Sequence, residues 1–451
     1  MSGRGQTTGR IVTRWICLLA AGAFTAGAAE FPLQVSADRR HLETAEGRPF
    51  LVAGDTAWSL IAQLREPEAR RYLDDRARRG FTAIIVNLLE HKFADRAPAL
   101  RDGTAPFLAP GDFARPNPEY LAAAHRVMEL ANERGLAVFL CAAYLGWAGG
   151  DEGFYREIQA AGPAAVHRYG RIVGESFRDL PNIVWMLGGD DAIAPEDRWM
   201  ANELAAGLRE GGARQLMTAH GGQTAAVETF GDQPWLAIDT AYSYVANLYD
   251  PMLACYRREP ARPYVLIEST YEGEHGAAPE KVRRQAWWAM LDGAAGQFFG
   301  NNPIWHFDGP TLFPFSGTWQ EAMDAAGSRD MARLARFWAG LPWWRLVPER
   351  DGRWITAGRG DGAGRAEAAA TPDGKLLVAY VPAGTDAVRV LTLDLSGLAG
   401  PAEAEWFDPA AEAAPVAARG KIPNAPRRVF KTPGANGSGA NDWVLVIRVP
   451  D

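Results

Sequence analysis

The sequence predicts an α/β protein: a (β/α)8 barrel, the TIM barrel, followed by a small antiparallel β-sandwich. Three observations predict it. From about residue 48 to residue 345, apolar runs of strand length alternate with longer amphipathic stretches. After Pro342-Trp-Trp-Arg345 the helical periodicity stops and short alternating runs begin. The first apolar run ends in Gly54-Asp-Thr-Ala-Trp58, without the glycine-rich phosphate turn that a doubly wound open sheet would carry there.

In chain order, Arg4, Arg10 and Arg14 precede an apolar run from Trp15 to about Ala23, then Ala26-Gly-Ala28. A charged segment, an apolar core and small residues form a secretory signal, expected over residues 1–28 and removed on export to the periplasm or the exterior. The apolar run is shorter than the roughly 20 residues a spanning helix needs, so no membrane span is expected in the mature chain. Strand candidates follow at Phe50–Gly54, Ala83–Leu88, Ala137–Ala143, Ile183–Leu187, Gln215–Ala219, Trp235–Thr240, Tyr264–Ile267 and Gly296–Phe299. Between them lie helical patterns over Glu66–Arg79, Pro118–Arg134, Pro163–Phe177, Pro195–Glu210, Pro279–Leu291 and Trp319–Phe337. The barrel is expected over residues 29–345. The sandwich, over 346–451, is read from Leu376–Tyr380, Val388–Leu393, Ala404–Phe407 and Trp443–Ile447. Gly358-Arg-Gly-Asp-Gly-Ala-Gly364 joins no strand to a helix and reads as a loop, with Arg359-Gly-Asp361 incidental. Asn436-Gly-Ser438 matters only in a glycosylating host.

Composition removes several function classes. The 451 residues are 47% hydrophobic and carry a net charge of -7, with no basic stripe, so nucleic acid is excluded as a partner. No Gly-x-Ser-x-Gly elbow is present, and the seven His are scattered rather than spaced as metal ligands, so neither a serine hydrolase nor a metal or other cofactor is expected. Cys141 and Cys255 are too few for a disulfide framework, and Cys141, inside an apolar run, reads as a small buried hydrophobe. The 16 Trp, most of them core, are numerous enough to supply stacking planes for sugar rings.

The chemistry is carried by Asp190, closing Ile183-Val-Trp-Met-Leu-Gly-Gly-Asp190, and Glu268, closing Tyr264-Val-Leu-Ile-Glu268. Catalytic groups of a parallel barrel are mounted where its strands end. Strands four and seven face each other across the mouth, and a carboxyl pair is what hydrolysis of a glycosidic bond requires. Each acid has a plainer reading: Asp190 as a helix cap, Glu268 as an ion-pair partner of a barrel arginine. Position alone does not choose between Asp190 and Asp191, and Asp191 reads as a hydroxyl contact. The other strand ends offer Asp55, Trp58, Asn87, Glu90, Tyr144, Trp147, His220 and Tyr242 as a ring of sugar-binding groups. Asp55 could instead cap a helix near Ala57, and His220 could sit in the core. Tyr271 is placed to orient Glu268. Asn301-Asn-Pro-Ile-Trp-His306 reads as a loop over the site, bringing Trp305, as platform or lid, and His306. Glu272 and Glu274 read as solvated loop residues.

Four motifs in order, Gly54-Asp-Thr-Ala-Trp58, Gly80-Phe-Thr-Ala-Ile-Ile-Val-Asn87, Asn182-Ile-Val-Trp-Met-Leu-Gly-Gly-Asp190 and Glu268-Ser-Thr-Tyr-Glu272, resemble the apiosidase-like group, family 140 of the glycoside hydrolases. The tail, with Trp406-Phe-Asp-Pro409 and Asp442-Trp-Val-Leu445, resembles the small β domain that follows such barrels and carries a collagen-binding label. The resemblance covers nearly all of the mature chain. It implies that Asp190 and Glu268 match the family's catalytic carboxylates. By analogy with related barrels Asp190 would be the acid/base and Glu268 the nucleophile of a retaining enzyme. The implied substrates are plant pectic glycans, apiose-bearing side chains among them. The competing reading from another class is a non-catalytic surface protein that binds carbohydrate or matrix, for which the carboxyl pair would be superfluous. The small β domain reads first as a cover for the barrel's apolar flank.

Overall fold

The structure is a computed structural model that describes residues 31–411 and 416–450; the expected leader lies outside the described residues. Eight strands form the barrel sheet: β1 (Val52–Thr56), β2 (Ala83–Asn87), β3 (Ala137–Cys141), β4 (Ile183–Gly188), β5 (Met217–His220), β6 (Asp239–Tyr242), β7 (Tyr264–Glu268) and β8 (Gly296–Phe299). Every residue in them is buried, as befits a parallel sheet covered on both faces and explains why the runs are continuously apolar. They pair in parallel in the order β5-β4-β3-β2-β1-β8-β7-β6. A single parallel bridge, Met217 to Leu236, brings the two ends together. Three short antiparallel strands precede β1, and Leu42 and Phe50 within them and Leu33 just before them pack on the inward-facing residues of the barrel.

One main helix follows each strand: α1 (Glu66–Arg79), α2 (Pro118–Asn132), α3 (Pro163–Phe177), α4 (Trp199–Glu210), α5 (Ala226–Phe230), α6 (Tyr249–Arg257), α7 (Pro279–Leu291) and α8 (Ala326–Ala339), with further short helices at Leu60–Gln63, Tyr155–Ala161 and Trp319–Ala322. Proline stands in the first turn of α1, α2, α3 and α7, where a missing N–H costs nothing. Three expected elements differ most, and one of them, the helix expected over Pro195–Glu210, begins at Trp199 after a 3-10 turn over Pro195–Asp197. The run Trp319–Phe337 is broken, because the helix Trp319–Ala322 stops and α8 starts afresh under Glu272, whose Oε1 accepts from Gly327 N at 2.8 Å. The sixth strand begins at Asp239 rather than Trp235, whose indole donates to Asn202 on α4 at 2.9 Å, while Leu236 keeps only the isolated bridge to Met217.

The C-terminal region is an antiparallel sandwich. β9 (Val347–Pro348), β10 (Ile355–Ala357), β11 (Glu367–Ala370), β12 (Leu376–Val381), β13 (Val390–Leu393), β14 (Ala402–Phe407), β15 (Val416–Ile422), β16 (Arg428–Lys431) and β17 (Trp443–Arg448) divide into a six-stranded sheet, β9-β11-β12-β17-β14-β15, and a three-stranded sheet, β10-β13-β16. Its central strands are apolar on both faces. Leu376, Val378 and Tyr380 of β12 join the cluster formed with α7 and α8, while Leu377, Ala379 and Val381 join the sandwich core. The large sheet thus covers the barrel's flank. Trp287 of α7 stacks on Tyr380 at 5.8 Å, and Arg283 of α7, 1% exposed, bridges Asp330 of α8 (2.6 Å) and Asp442 (2.7 Å). Asn436 is buried with its amide on Asp442, so its sequon offers no open acceptor.

Candidate active site

Side chains of a strand alternate between the barrel interior and the helices, and that alternation sorts the candidate residues. On β4, Val184 and Met186 face the interior, whereas Ile183, Trp185 and Leu187 face the helices. Asp190 has the inward parity and Asp191 the outward one. Two glycines carry the chain there. Gly188 has φ +83° and a Cβ on it would lie 2.3 Å from His220 O; a Cβ on Gly189 would lie 2.5 Å from Leu145 N. On β7, Val265 and Ile267 face inward, so simple alternation would aim Glu268 at the helices. The pairing register with β6 shifts between Leu266 and Glu268, and this extra residue turns Glu268 into the mouth.

There the two acids border a cavity of about 500 Å³ lined also by Trp58, Asn87, Phe93, Tyr144, Trp147, Glu152, Gln223, Tyr242, Tyr244, Thr270, Tyr271, Glu274, His275, Lys281, Trp305, Leu312 and Phe313. Both oxygens of Glu268 are held: the Tyr244 hydroxyl donates to Oε1 at 2.6 Å and His220 Nε2 lies 3.0 Å from Oε2. His220 Nδ1 faces Gly221 O at 3.2 Å, so both ring nitrogens meet acceptors and only the doubly protonated ring satisfies both. Burial opposes that charge, but the hydrogen bond to Glu268 and the charge of that carboxylate outweigh it and raise the His220 pKa. Asp190 is different. The Tyr242 hydroxyl faces it, yet its Oδ1 is enclosed without a partner. Burial first, then the charge of Glu268, push its carboxyl up to about 7, against the pull of His220 and Tyr242. One carboxyl that keeps its proton near neutrality and one gripped by two donors are chemically distinct partners.

Of the residues singled out in the sequence, Trp58, Asn87, Tyr144, Trp147, Asp190, Tyr242, Glu268, Tyr271 and Trp305 border the cavity. Tyr271 accepts from the Trp58 indole at 3.0 Å and contacts no oxygen of Glu268; the orienting groups are Tyr244 and His220. His220 stands behind Glu268, fully buried between the rings of Trp58 and Tyr242. Four candidates lie elsewhere. Asp55 lies within β1, not after it, and its outward parity sends it to Tyr72 (2.7 Å) and Arg76 (3.3 Å) of α1. Glu90 is consumed by Ser59 Oγ and the backbone N–H groups of Lys92 and Phe93. Asp191 follows its outward parity. His306 is buried with Nδ1 on Gly309 O and Nε2 on Asn302 Oδ1.

Glu272 and Glu274 are not solvated: they are 8% and 5% exposed. Glu272 accepts from Asn301 and Gly327, and Glu274 accepts from the Trp305 indole at 2.8 Å. Tyr244 and Glu152 went unnoticed in the sequence because they lie on loops beyond the strand ends; Tyr244 keeps the inward parity of Thr240 and Tyr242, a usable signal. Cys141 is fully buried, and burial raises its thiol far above the usual range. Among the described residues, no three His, Cys, Asp or Glu side chains are grouped to hold a metal ion.

The chain is similar in structure to a protein described as a glycoside hydrolase, at 23% identity and TM-score 0.78, over 93% of this chain and 97% of that one. A glycoside hydrolase family 5 protein from Bacteroides vulgatus is similar at 22% identity and TM-score 0.78, over 92% and 93% of the two chains. At that identity the likeness shows the shared fold. No match was found among curated proteins. Residues 350–448 match the family described as "Putative collagen-binding domain of a collagenase". Residues 36–345 match the apiosidase-like catalytic domain, and the chain belongs to that apiosidase-like family of glycoside-hydrolysing barrels.

Proposed function

We propose that the protein is an exported, retaining glycoside hydrolase acting on plant cell-wall glycans, with pectic side chains, apiose-bearing ones included, as the substrate class. The observation that carries the mechanism is the asymmetry of the pair: a proton-holding Asp190 with a free Oδ1 beside a Glu268 fixed by Tyr244 and His220. Asp190 delivers its proton to the glycosidic oxygen as the bond to the anomeric carbon breaks. A Glu268 oxygen bonds to that carbon and forms a glycosyl ester. Departure of the aglycone leaves Asp190 as a carboxylate. It then takes a proton from a water molecule, whose oxygen displaces Glu268 and restores both acids. The aromatic lining, Trp58, Tyr144, Trp147 and Trp305, offers planes for the sugar's C–H faces. The family match supports this reading, and the N-terminal signal pattern supports export.

Sugar release from a panel of plant pectins and aryl glycosides tests the reading, with wild type beside Asp190→Asn and Glu268→Gln. The expected result is release by wild type and loss of at least ~1,000-fold in each variant with folding intact. Full activity in either variant would remove that residue from the mechanism.

A further inference from the structure

Glu274 is an enclosed carboxyl that the hydrolytic scheme does not use. It sits on the turn leaving β7, where Gly273 (φ +84°) and Gly276 (φ +66°) fold the chain back over the cavity. Two residues earlier, Glu272 has a structural task, with donors on both oxygens from Asn301 and Gly327. Glu274 has no such set. Its Oε1 accepts from Trp305 Nε1 at 2.8 Å, and among the described residues it has no cationic partner and no donor on Oε2. Enclosing a carboxyl with one hydrogen bond is costly, so its retention at the cavity wall points to a ligand. Trp305 itself is wedged edge-on against Phe93 at 4.9 Å and His306 at 4.6 Å, so the carboxyl fixes the last freedom of an already packed ring.

We propose that Glu274 contacts the substrate and sets its specificity: Oε1 pins Trp305 as a platform for the sugar ring, and Oε2 takes a hydroxyl of a neutral sugar in the same subsite. This rests on the hydrolase reading of the cavity. Glu274, Glu268 and Glu152 stand around one space in which Asp190 keeps its proton and Lys281 is the cation of the wall, so a uronic acid bound against Glu274 would set carboxylate against carboxylate and be disfavoured. The subsite therefore selects uncharged sugars by contact and rejects acidic ones by repulsion.

The test uses the full-length protein, Glu274→Gln and Glu274→Ala, with 4-nitrophenyl glycosides of neutral pentoses and hexoses and the matching uronides. For the neutral sugars, Glu274→Ala raises KM at least tenfold with a smaller change in kcat, and Glu274→Gln lies between. The preference for neutral sugars over uronides falls at least tenfold in both variants, a change that loosened packing alone would not produce. KM and preference within twofold of wild type in both variants overturn the inference and leave the hydrolase reading standing. If wild type cleaves none of the panel, calorimetric binding of the methyl glycosides decides. A neutral preference weakened tenfold in both variants keeps the inference, and the pectin assay then decides the hydrolase reading separately. No binding, or binding without that preference, overturns the inference.

Discussion

Replacing Asp190 by Asn should stabilise the fold, and by an amount that depends on pH. Burial and the Glu268 charge raise the Asp190 carboxyl from 3.8 to about 7. In the unfolded chain it ionises near 3.8, so between that pH and 7 the folded protein binds the extra proton. Stability contributed by this group is therefore lost as pH rises through the window and is level above it. At 1.36 kcal/mol per pH unit, proton linkage makes the loss about 1 kcal/mol at pH 4.5 and about 4 kcal/mol at pH 8. The asparagine variant has no proton to lose at this position and still offers the Tyr242 hydroxyl an acceptor. Its advantage over wild type should grow by about 3 kcal/mol between pH 4.5 and pH 8, less whatever solvent in the open cavity screens. Urea unfolding of both proteins across that range measures the difference, because the titrating groups that do not interact with Asp190 cancel in it, leaving Asp190 with its neighbours Glu268 and His220. Parallel stability curves would show that Asp190 ionises freely in the folded protein. The assignment of Asp190 as the proton donor would then lose its physical basis.

Other consequences follow from the same geometry. Hydrolysis should decline about tenfold per pH unit above about 7, as Asp190 loses the proton it delivers; a pH profile level to pH 9 would contradict this. Tyr244→Phe removes the hydroxyl on Glu268 Oε1 and should lower kcat about 10- to 100-fold, the worth of one hydrogen bond to a charged group, with the thermal midpoint little changed. Arg283→Met leaves Asp330 and Asp442 facing each other without their shared cation and should cost about 3–5 kcal/mol in urea unfolding. Adding Asp442→Asn to that variant should restore part of the loss, and an unchanged double variant would mean that the bridge does not join the barrel to the sandwich.

The barrel was legible in the sequence because strands buried on both faces read as unbroken apolar runs, and because prolines mark the first turns of several helices. The two acids were legible as the polar residues that end such runs. What required the structure was direction. Asp55 and Asn87 each end or nearly end a strand, yet Asp55 turns to Arg76 and Asn87 into the cavity, with its Oδ1 unpartnered. Alternation within the strand separates those two, and it also separates Asp190 from Asp191. It would have failed for Glu268, which faces inward only because of the irregularity between Leu266 and Glu268. Glu90, Glu272 and His306 were beyond such rules, since each is held by loop backbone or side chains whose path no local periodicity describes.

The central claim, that Glu268 is the nucleophile of a retaining reaction with Asp190 as its acid, is tested most directly by trapping the ester. A 2-deoxy-2-fluoro glycosyl fluoride of the sugar that the enzyme releases should inactivate it in a time-dependent manner, and mass spectrometry of the digested protein should find the glycosyl mass on Glu268. A label on any other carboxylate, or hydrolysis that proceeds with inversion at the anomeric carbon and leaves no label, would contradict the account.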